Sequence, residues 1–233
     1  MIKRRPIGQA VPNWTPPSAP NTDVLKGAYA RLERLSAGHA KALFEANAED
    51  TNDFIWTYLP YGPFKTQKAY KAWATDMATQ EDPYFYTIID RESGKAGGVA
   101  SYLRIKPNDG SIEIGHINFA PRLQHTKAST EAVFLMMSWA FEAGYRRFEW
   151  KCDALNAASM NAAKRYGFLY EGTFRQATMY KGRNRDTAWF AVIDKDWPPL
   201  KEAFQAWLDP SNFDDDGLQR KRLSTLTSFM AAK

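Results

Sequence analysis

The chain has a single cysteine, Cys152, in 233 residues. An intramolecular disulfide is therefore excluded, and one thiol suits a reducing compartment. No apolar run approaches the roughly 20 residues of a membrane span, so no membrane partner is expected. The first residues are charged and then proline-rich rather than apolar. That argues against a secretory signal and makes cytoplasmic residence the default expectation. Excess charge is scarce too: the formal net charge is +5, much of it in Lys3, Arg4 and Arg5 and in Arg220, Lys221 and Arg222. There is no zinc-finger spacing, no heptad repeat and no long basic tract. Neither a metal nor a nucleic-acid partner is expected.

What is present is apolar and aromatic: 44% of residues are hydrophobic and 14% aromatic, ample for a packed interior. The length suits one domain with one large core. Residues 1–24, with Pro6, Pro12, Pro16, Pro17 and Pro20, read as an extended N-terminal arm. Residues 25–196 read as the domain, and 197–233 as a helical extension packed on it.

Within the domain, Ala28 to Leu35 reads as a strand, with Ser36 capping a helix that runs to about Glu49. A second helix covers roughly Thr66 to Ala78. Tyr84 to Asp90 and Ala96 to Ile105 form a hairpin, and Ser111 to Phe119 is the next strand. Ser129 to Glu142 is the clearest helix, with Ala132, Leu135, Met136 and Ala140 on one face and Gly144 as its stop. Arg147 to Cys152 is a strand and Asn156 to Arg165 a helix. Phe168 to Arg175 and Thr187 to Asp194 are strands around a turn at Lys181 to Asn184, and Leu200 to Leu208 is a last helix. This order predicts an α/β (α+β) domain, a mixed central sheet with helices on both faces. The strands flanking the 129–142 helix should be parallel.

Several junctions resemble the GNAT superfamily of N-acetyltransferases, on the branch of the ribosomal-protein N-terminal acetyltransferases. Ile114-Gly115-His116-Ile117 is similar to that fold's central strand, and Thr130-Glu131-Ala132 to the start of the helix after its pyrophosphate loop. Asn156-Ala157-Ala158-Ser159, Tyr166-Gly167-Phe168 and Tyr170-Glu171-Gly172 resemble the segments that follow. The similarity spans about Gly27 to Asp194.

The resemblance implies acetyl-CoA as cosubstrate. Its pantetheine arm would lie beside Ile117 and Phe119 like an added strand. The pyrophosphate would lie over Arg122, Gln124, His125, Thr126, Lys127, Ala128, Ser129 and Thr130, at a helix N-terminus whose N–H groups and dipole favour anions. Relatives carry glycines in this loop, and His125 and Lys127 stand in those positions. Asn156 and Ser159 are further cofactor candidates, with ordinary N-capping as the other reading. Lys164 and Arg165 are placed to approach the ribose phosphate or to form a solvated face.

Amine acetylation requires a neutral amine, a polarised thioester carbonyl and a proton for the departing thiolate. His116 is the first candidate base, because imidazole titrates near neutrality; the other reading is a half-buried aromatic. Glu113 is a second candidate or a surface carboxylate. By strand alternation the two point to opposite faces unless a bulge intervenes. Glu131 either interacts with the helix dipole, orients the loop or meets the amine. Cys152 is a candidate proton donor or a small buried hydrophobe. The tyrosine acid of many relatives is matched by Ala163, and Tyr166 falls on another helix face.

Trp56, Tyr58, Tyr61 and Phe64 form an aromatic acceptor wall or simply core. The polar run from Phe174 to Asp186 suits an acidic or phosphate-bearing acceptor, an internal Arg–Asp network or a dimer contact. The expected activity is acetyl transfer from acetyl-CoA to a peptide N-terminus or a small-molecule amine, by a monomer or homodimer. A non-catalytic acyl-CoA-binding or interaction module is the alternative.

Overall fold

The computed structural model describes residues 5–232, so Lys3 and Arg4 of the basic start lie outside the described residues. Eight strands form one sheet in the order β1-β2-β3-β4-β5-β6-β8-β7. They are β1 (Val24–Lys26), β2 (Ala30–Arg34), β3 (Tyr84–Asp90), β4 (Ala96–Lys106), β5 (Ser111–Phe119), β6 (Arg147–Asp153), β7 (Leu169–Tyr180) and β8 (Arg183–Ile193). Neighbours are antiparallel except β5 and β6, which run parallel around the long crossover helix. The fold is thus mixed α/β, with one correction at the start. The expected strand from Ala28 to Leu35 shortens to β2, and the unexpected β1 precedes it, joined to β2 by a turn in which Gly27 N–H donates to Ala30 O at 2.9 Å.

Helices α1 (Ala40–Asn47) and α2 (Gln67–Ala78) cover one face, packed with Phe85, Val99 and Trp56. Helices α3 (Lys127–Glu142), α4 (Ala157–Arg165) and α5 (Trp197–Leu208) share the other core with Tyr102, Ile112, Ile114, Phe148, Trp150 and Phe190. Period-two alternation assigns each strand residue to one of these cores. The short α6 (Leu223–Leu226) sends Leu223 into the same core as α5. Along the N-terminal arm, Trp14 donates to Gly144 O at 3.1 Å, Ser18 O accepts from Tyr145 and Thr22 O from Tyr86.

Two boundaries matter for the site. Helix α3 begins two residues before the expected Ser129, because Thr126 is its N-cap: the Oγ1 accepts the Ser129 N–H at 3.0 Å. Strand β7 continues past the expected end at Arg175. A bulge with Gln176 at φ +51° interrupts it, and Asp186 accepts the Gln176 N–H at 2.7 Å, so pairing with β8 resumes at Thr178. Lys181 and Gly182, both at positive φ, close the hairpin as a two-residue turn.

Candidate active site

Strands β5 and β6 pair only from Ser111↔Arg147 to Ile114↔Trp150. Beyond that register they part, and the edge of β5 from Gly115 to Phe119 that faces β6 has no strand partner among the described residues. A cleft of about 1840 Å³ occupies the opening, larger than the roughly 300–1,000 Å³ usual for a small ligand. Its walls include Ile117, Phe119, Trp150, Cys152, Asn156 and Ser159. One end reaches the loop from Gln124 to Ser129; the other reaches Phe54, Ile55 and Tyr58.

The bulge in β5 decides where His116 points. Ser101 pairs with Gly115 and Val99 with Asn118, so β5 carries an extra residue between them, and His116 takes φ +50°. Its ring consequently lies on the α1/α2 face, 5.2 Å from Phe85 and stacked on Tyr61 at 5.6 Å. Glu113 belongs to that face too, so the bulge brings the two candidates to one side. Burial, reinforced by Arg104 and Arg185, lowers the His116 pKa to about 4, against the opposing pull of Asp82. The imidazole is therefore neutral at neutral pH, with a nitrogen able to accept a hydrogen bond.

Glu113 is buried rather than on the surface. Its carboxylate lies 2.7 Å from Arg104 Nη1 and 2.8 Å from Lys151 Nζ. Burial raises its pKa while the two cations pull the other way. Lys151 also lies 2.8 Å from Glu149 and 3.7 Å over the Trp189 ring. This closed ion cluster commits Glu113 to two cations.

Glu131 is buried and absent from the cleft walls. It accepts the backbone N–H groups of Ala28, Tyr29 and Ala30 at 2.8, 2.6 and 2.6 Å. A Cβ at Gly27 would sit 2.3 Å from its carboxyl carbon, so only glycine permits this approach. Glu131 fastens the β1–β2 turn to the first turns of α3, beside the loop.

The cofactor candidates divide. Gln124 lines the cleft and donates from Nε2 to Phe119 O at 2.8 Å, and His125, Thr126, Lys127, Ala128 and Ser129 line it with Gln124. Arg122 is turned away: its Nε donates to Glu49 at 2.7 Å, outside the cleft. Thr130 is buried behind the wall, its hydroxyl accepting from Arg165 Nη1 at 3.2 Å. His125 keeps the left-handed conformation that glycine favours (φ +61°), whereas Lys127 is the first helical residue of α3. By helix geometry the N–H groups of Lys127 and Ala128 have no intrahelical acceptor. Asn156 caps α4 through Ser159 N–H at 3.0 Å, and Ser159 Oγ accepts the Trp150 indole N–H at 2.9 Å. Arg165 lines the cleft and Lys164 does not.

On the acceptor side Tyr58 lines the cleft and donates to Leu155 O at 3.0 Å. Trp56, Tyr61 and Phe64 stand behind it, packed on one another and on Tyr70 or Trp73. The β7–β8 hairpin roofs this end with Thr178, Met179, Tyr180 and Arg185. It is held by Lys181 Nζ donating to Trp56 O at 2.6 Å and Tyr180 donating to Asp153 at 2.8 Å. These hairpin residues fall in the polar run from Phe174 to Asp186 that the sequence offered as an acceptor contact, whereas Phe54 and Lys151 escaped the sequence reading. Asn118 was missed as well. It is buried on the cleft wall, and neither side-chain amide atom has a hydrogen-bond partner among the described residues.

A family model for the acetyltransferase (GNAT) domain matches residues 30–169. The chain belongs to the GNAT acetyltransferase family. A GCN5-related N-acetyltransferase from Brucella melitensis is 44% identical over 94% of this chain and 100% of its own, with a TM-score of 0.91. A probable GNAT-family acetyltransferase from Chromobacterium violaceum is 41% identical over 84% of this chain and 99% of its own, with a TM-score of 0.77. An acetyltransferase from Salmonella typhimurium, described as modifying the N-terminal serine of ribosomal protein L7/L12, shares the fold at 21% identity. That match covers 73% of this chain and 98% of its own, with a TM-score of 0.63. None of the curated proteins compared matches the chain. In this GNAT chain Ala163 is sealed in the core. Tyr166, set aside on helix phase, does reach the cleft wall, its buried ring stacked on Phe204. Cys152 is buried at the wall, and burial raises its thiol pKa. No helix among the described residues is long and apolar enough to cross a membrane.

Proposed function

We propose that this GNAT acetyltransferase moves the acetyl group of acetyl-CoA to an amine, a peptide N-terminus or a small molecule. The observation that carries the reading is the parting of β5 from β6 in line with the start of α3. An unpaired strand edge suits an amide-bearing arm, and first-turn N–H groups with Lys127 suit a pyrophosphate. These residues fit the cofactor in kind and in order along one continuous cleft.

Bound acetyl-CoA supplies a reactive thioester, so much of the work is positional. The β5 edge from Ile117 to Phe119 offers backbone groups to the pantetheine arm. Gln124, His125 and Thr126 shape the loop, and Ala128 and Ser129 continue the α3 start. Neutral His116, held in place by Tyr61 and Phe85, accepts a hydrogen bond from the amine and positions it for attack. The Cys152 thiol, kept protonated by burial, is a proton source on the opposite wall, with Ser159 and Tyr166 as neighbouring hydroxyls. Glu113 supports the site through its ion cluster instead of acting as base. Phe54, Tyr58 and Met179 flank the acceptor's approach.

A thiol-release assay with acetyl-CoA across small amines and peptides tests the reading. The expected result is acceptor-dependent CoA release that falls more in kcat than in cofactor affinity on His116→Ala. Tight acetyl-CoA binding with no acceptor raising release above background would instead support a non-catalytic binding module.

A further inference from the structure

The segment that follows α5 returns to the phosphate end of the cleft. Phe213, Gly217, Leu218, Gln219 and Arg222 line it, together with Trp207 of α5. The contact with α3 is direct. Lys127 Nζ lies 4.7 Å from the Phe213 ring centroid and 5.0 Å from that of Tyr29, so the ammonium sits between two aromatic faces. Arg165 lies 5.0 Å over Trp207 and is fixed by Thr130. The segment has its own framework. Gln219 Oε1 accepts the Trp207 indole N–H at 2.8 Å, Phe213 bridges Gln219, and Phe213 stands edge-on to Trp207 at 5.2 Å. The result is a half-open recess with an aromatic floor and three cations, Lys127, Arg165 and Arg222.

The acidic residues of the same segment are turned to other work. Asp209 accepts from Ser211, and Asp214 accepts the Asp216 and Leu218 N–H groups. Asp215 and Asp216 are exposed at the turn and absent from the cleft walls. On the β3–β4 turn that reaches the cleft, Asp90 accepts from Ser93, and Arg91, which donates to Gly27 O, and Glu92 bring one charge of each sign. The recess therefore favours a planar ring carrying an anion.

We infer that Phe213 to Arg222, with Lys127 and Arg165, form a subsite for the 3′-phosphoadenosine end of coenzyme A. The inference rests on the acetyl-CoA reading and deepens it: the C-terminal extension is part of the cofactor site. Phe213 offers surface to adenine with the buried Trp207 packed behind it, and Arg222 and Arg165 offer guanidinium donors to the 3′-phosphate.

Isothermal titration of the full chain with CoA, 3′-dephospho-CoA and adenosine 3′,5′-bisphosphate tests it. One charge-assisted contact is worth about tenfold in affinity, so the chain should bind CoA about tenfold tighter than 3′-dephospho-CoA and bind the bisphosphate measurably. Arg222 is exposed, so Arg222→Glu should fold normally. It should weaken CoA about tenfold or more, leave 3′-dephospho-CoA nearly unchanged, and lose its effect at high salt. Phe213→Ala should weaken all three ligands. Equal binding of CoA and 3′-dephospho-CoA by the unmodified chain would overturn the subsite while leaving the cofactor reading intact. A preference that Arg222→Glu does not reduce would overturn the assignment too. Failure of every ligand to bind would overturn the cofactor reading itself.

Discussion

His116 should make the protein's stability depend on pH in a way that one substitution removes. Its folded-state pKa is about 4, against an ordinary value of 6.5. Between those values the unfolded chain binds more protons than the folded one, so stability rises with pH. The contribution is complete above pH 6.5 and is lost as pH falls toward 4. The linkage relation gives a loss of about 2 kcal/mol at pH 5 and about 3 kcal/mol at pH 4. These are upper bounds, because the ring is half-buried rather than sealed. His116→Phe keeps a ring against Tyr61 and Phe85 and removes the titrating nitrogen. Any strain of Phe at φ +50° is a pH-independent offset. Denaturant unfolding of both proteins from pH 7.5 to 4.5 isolates the effect, since Glu113 and the remaining groups cancel in the difference. Stability curves that stay parallel across that range would refute the buried, neutral histidine and weaken its candidacy as hydrogen-bond acceptor for the amine.

Glu131→Ala leaves three backbone N–H groups without their acceptor and should cost on the order of 4 kcal/mol by denaturant unfolding. Glu131→Gln should cost less, and an effect under about 1 kcal/mol would show that water replaces the carboxylate readily. His125→Gly should be neutral or raise stability by up to about 1 kcal/mol, since the left-handed residue loses its Cβ penalty while the unfolded chain gains freedom. A clear loss of stability would mean that the imidazole makes a contact of its own. Asn118→Leu replaces an unpartnered buried amide and should raise the melting temperature while lowering kcat/KM for the acceptor. Unchanged kinetics would exclude Asn118 from substrate contact.

The order of elements was legible because periodicity and turn residues act locally. Gly144 and Lys181-Gly182 each end an element by their own backbone preferences. The candidate site was legible where it is built from consecutive residues, as from Gln124 to Ser129, and at single positions the resemblance marked, such as Ile117, Phe119, Asn156 and Ser159. Alternation alone put Glu113 and His116 on opposite faces; the bulge that reunites them arises from pairing with β4, a partner distant in sequence. Long-range contacts also explain the roles of Glu131 and Arg122. One reaches back about 100 residues to Ala28–Ala30 and the other 73 to Glu49, and nothing near either residue records its partner. Of the four aromatics from Trp56 to Phe64, only Tyr58 reaches the cleft, a choice made by packing against Tyr70 and Trp73.

Tyr58 bonded to Leu155, and Lys181 bonded to Trp56, join loops from opposite banks of the cleft. The cleft they cross extends from Lys127 at one end to Phe54 at the other. A donor lying toward Lys127 and an acceptor lying toward Phe54 need not wait for each other to leave. Steady-state kinetics should then give intersecting double-reciprocal lines, the pattern of a ternary complex, and no exchange of acetyl label into free CoA without an acceptor.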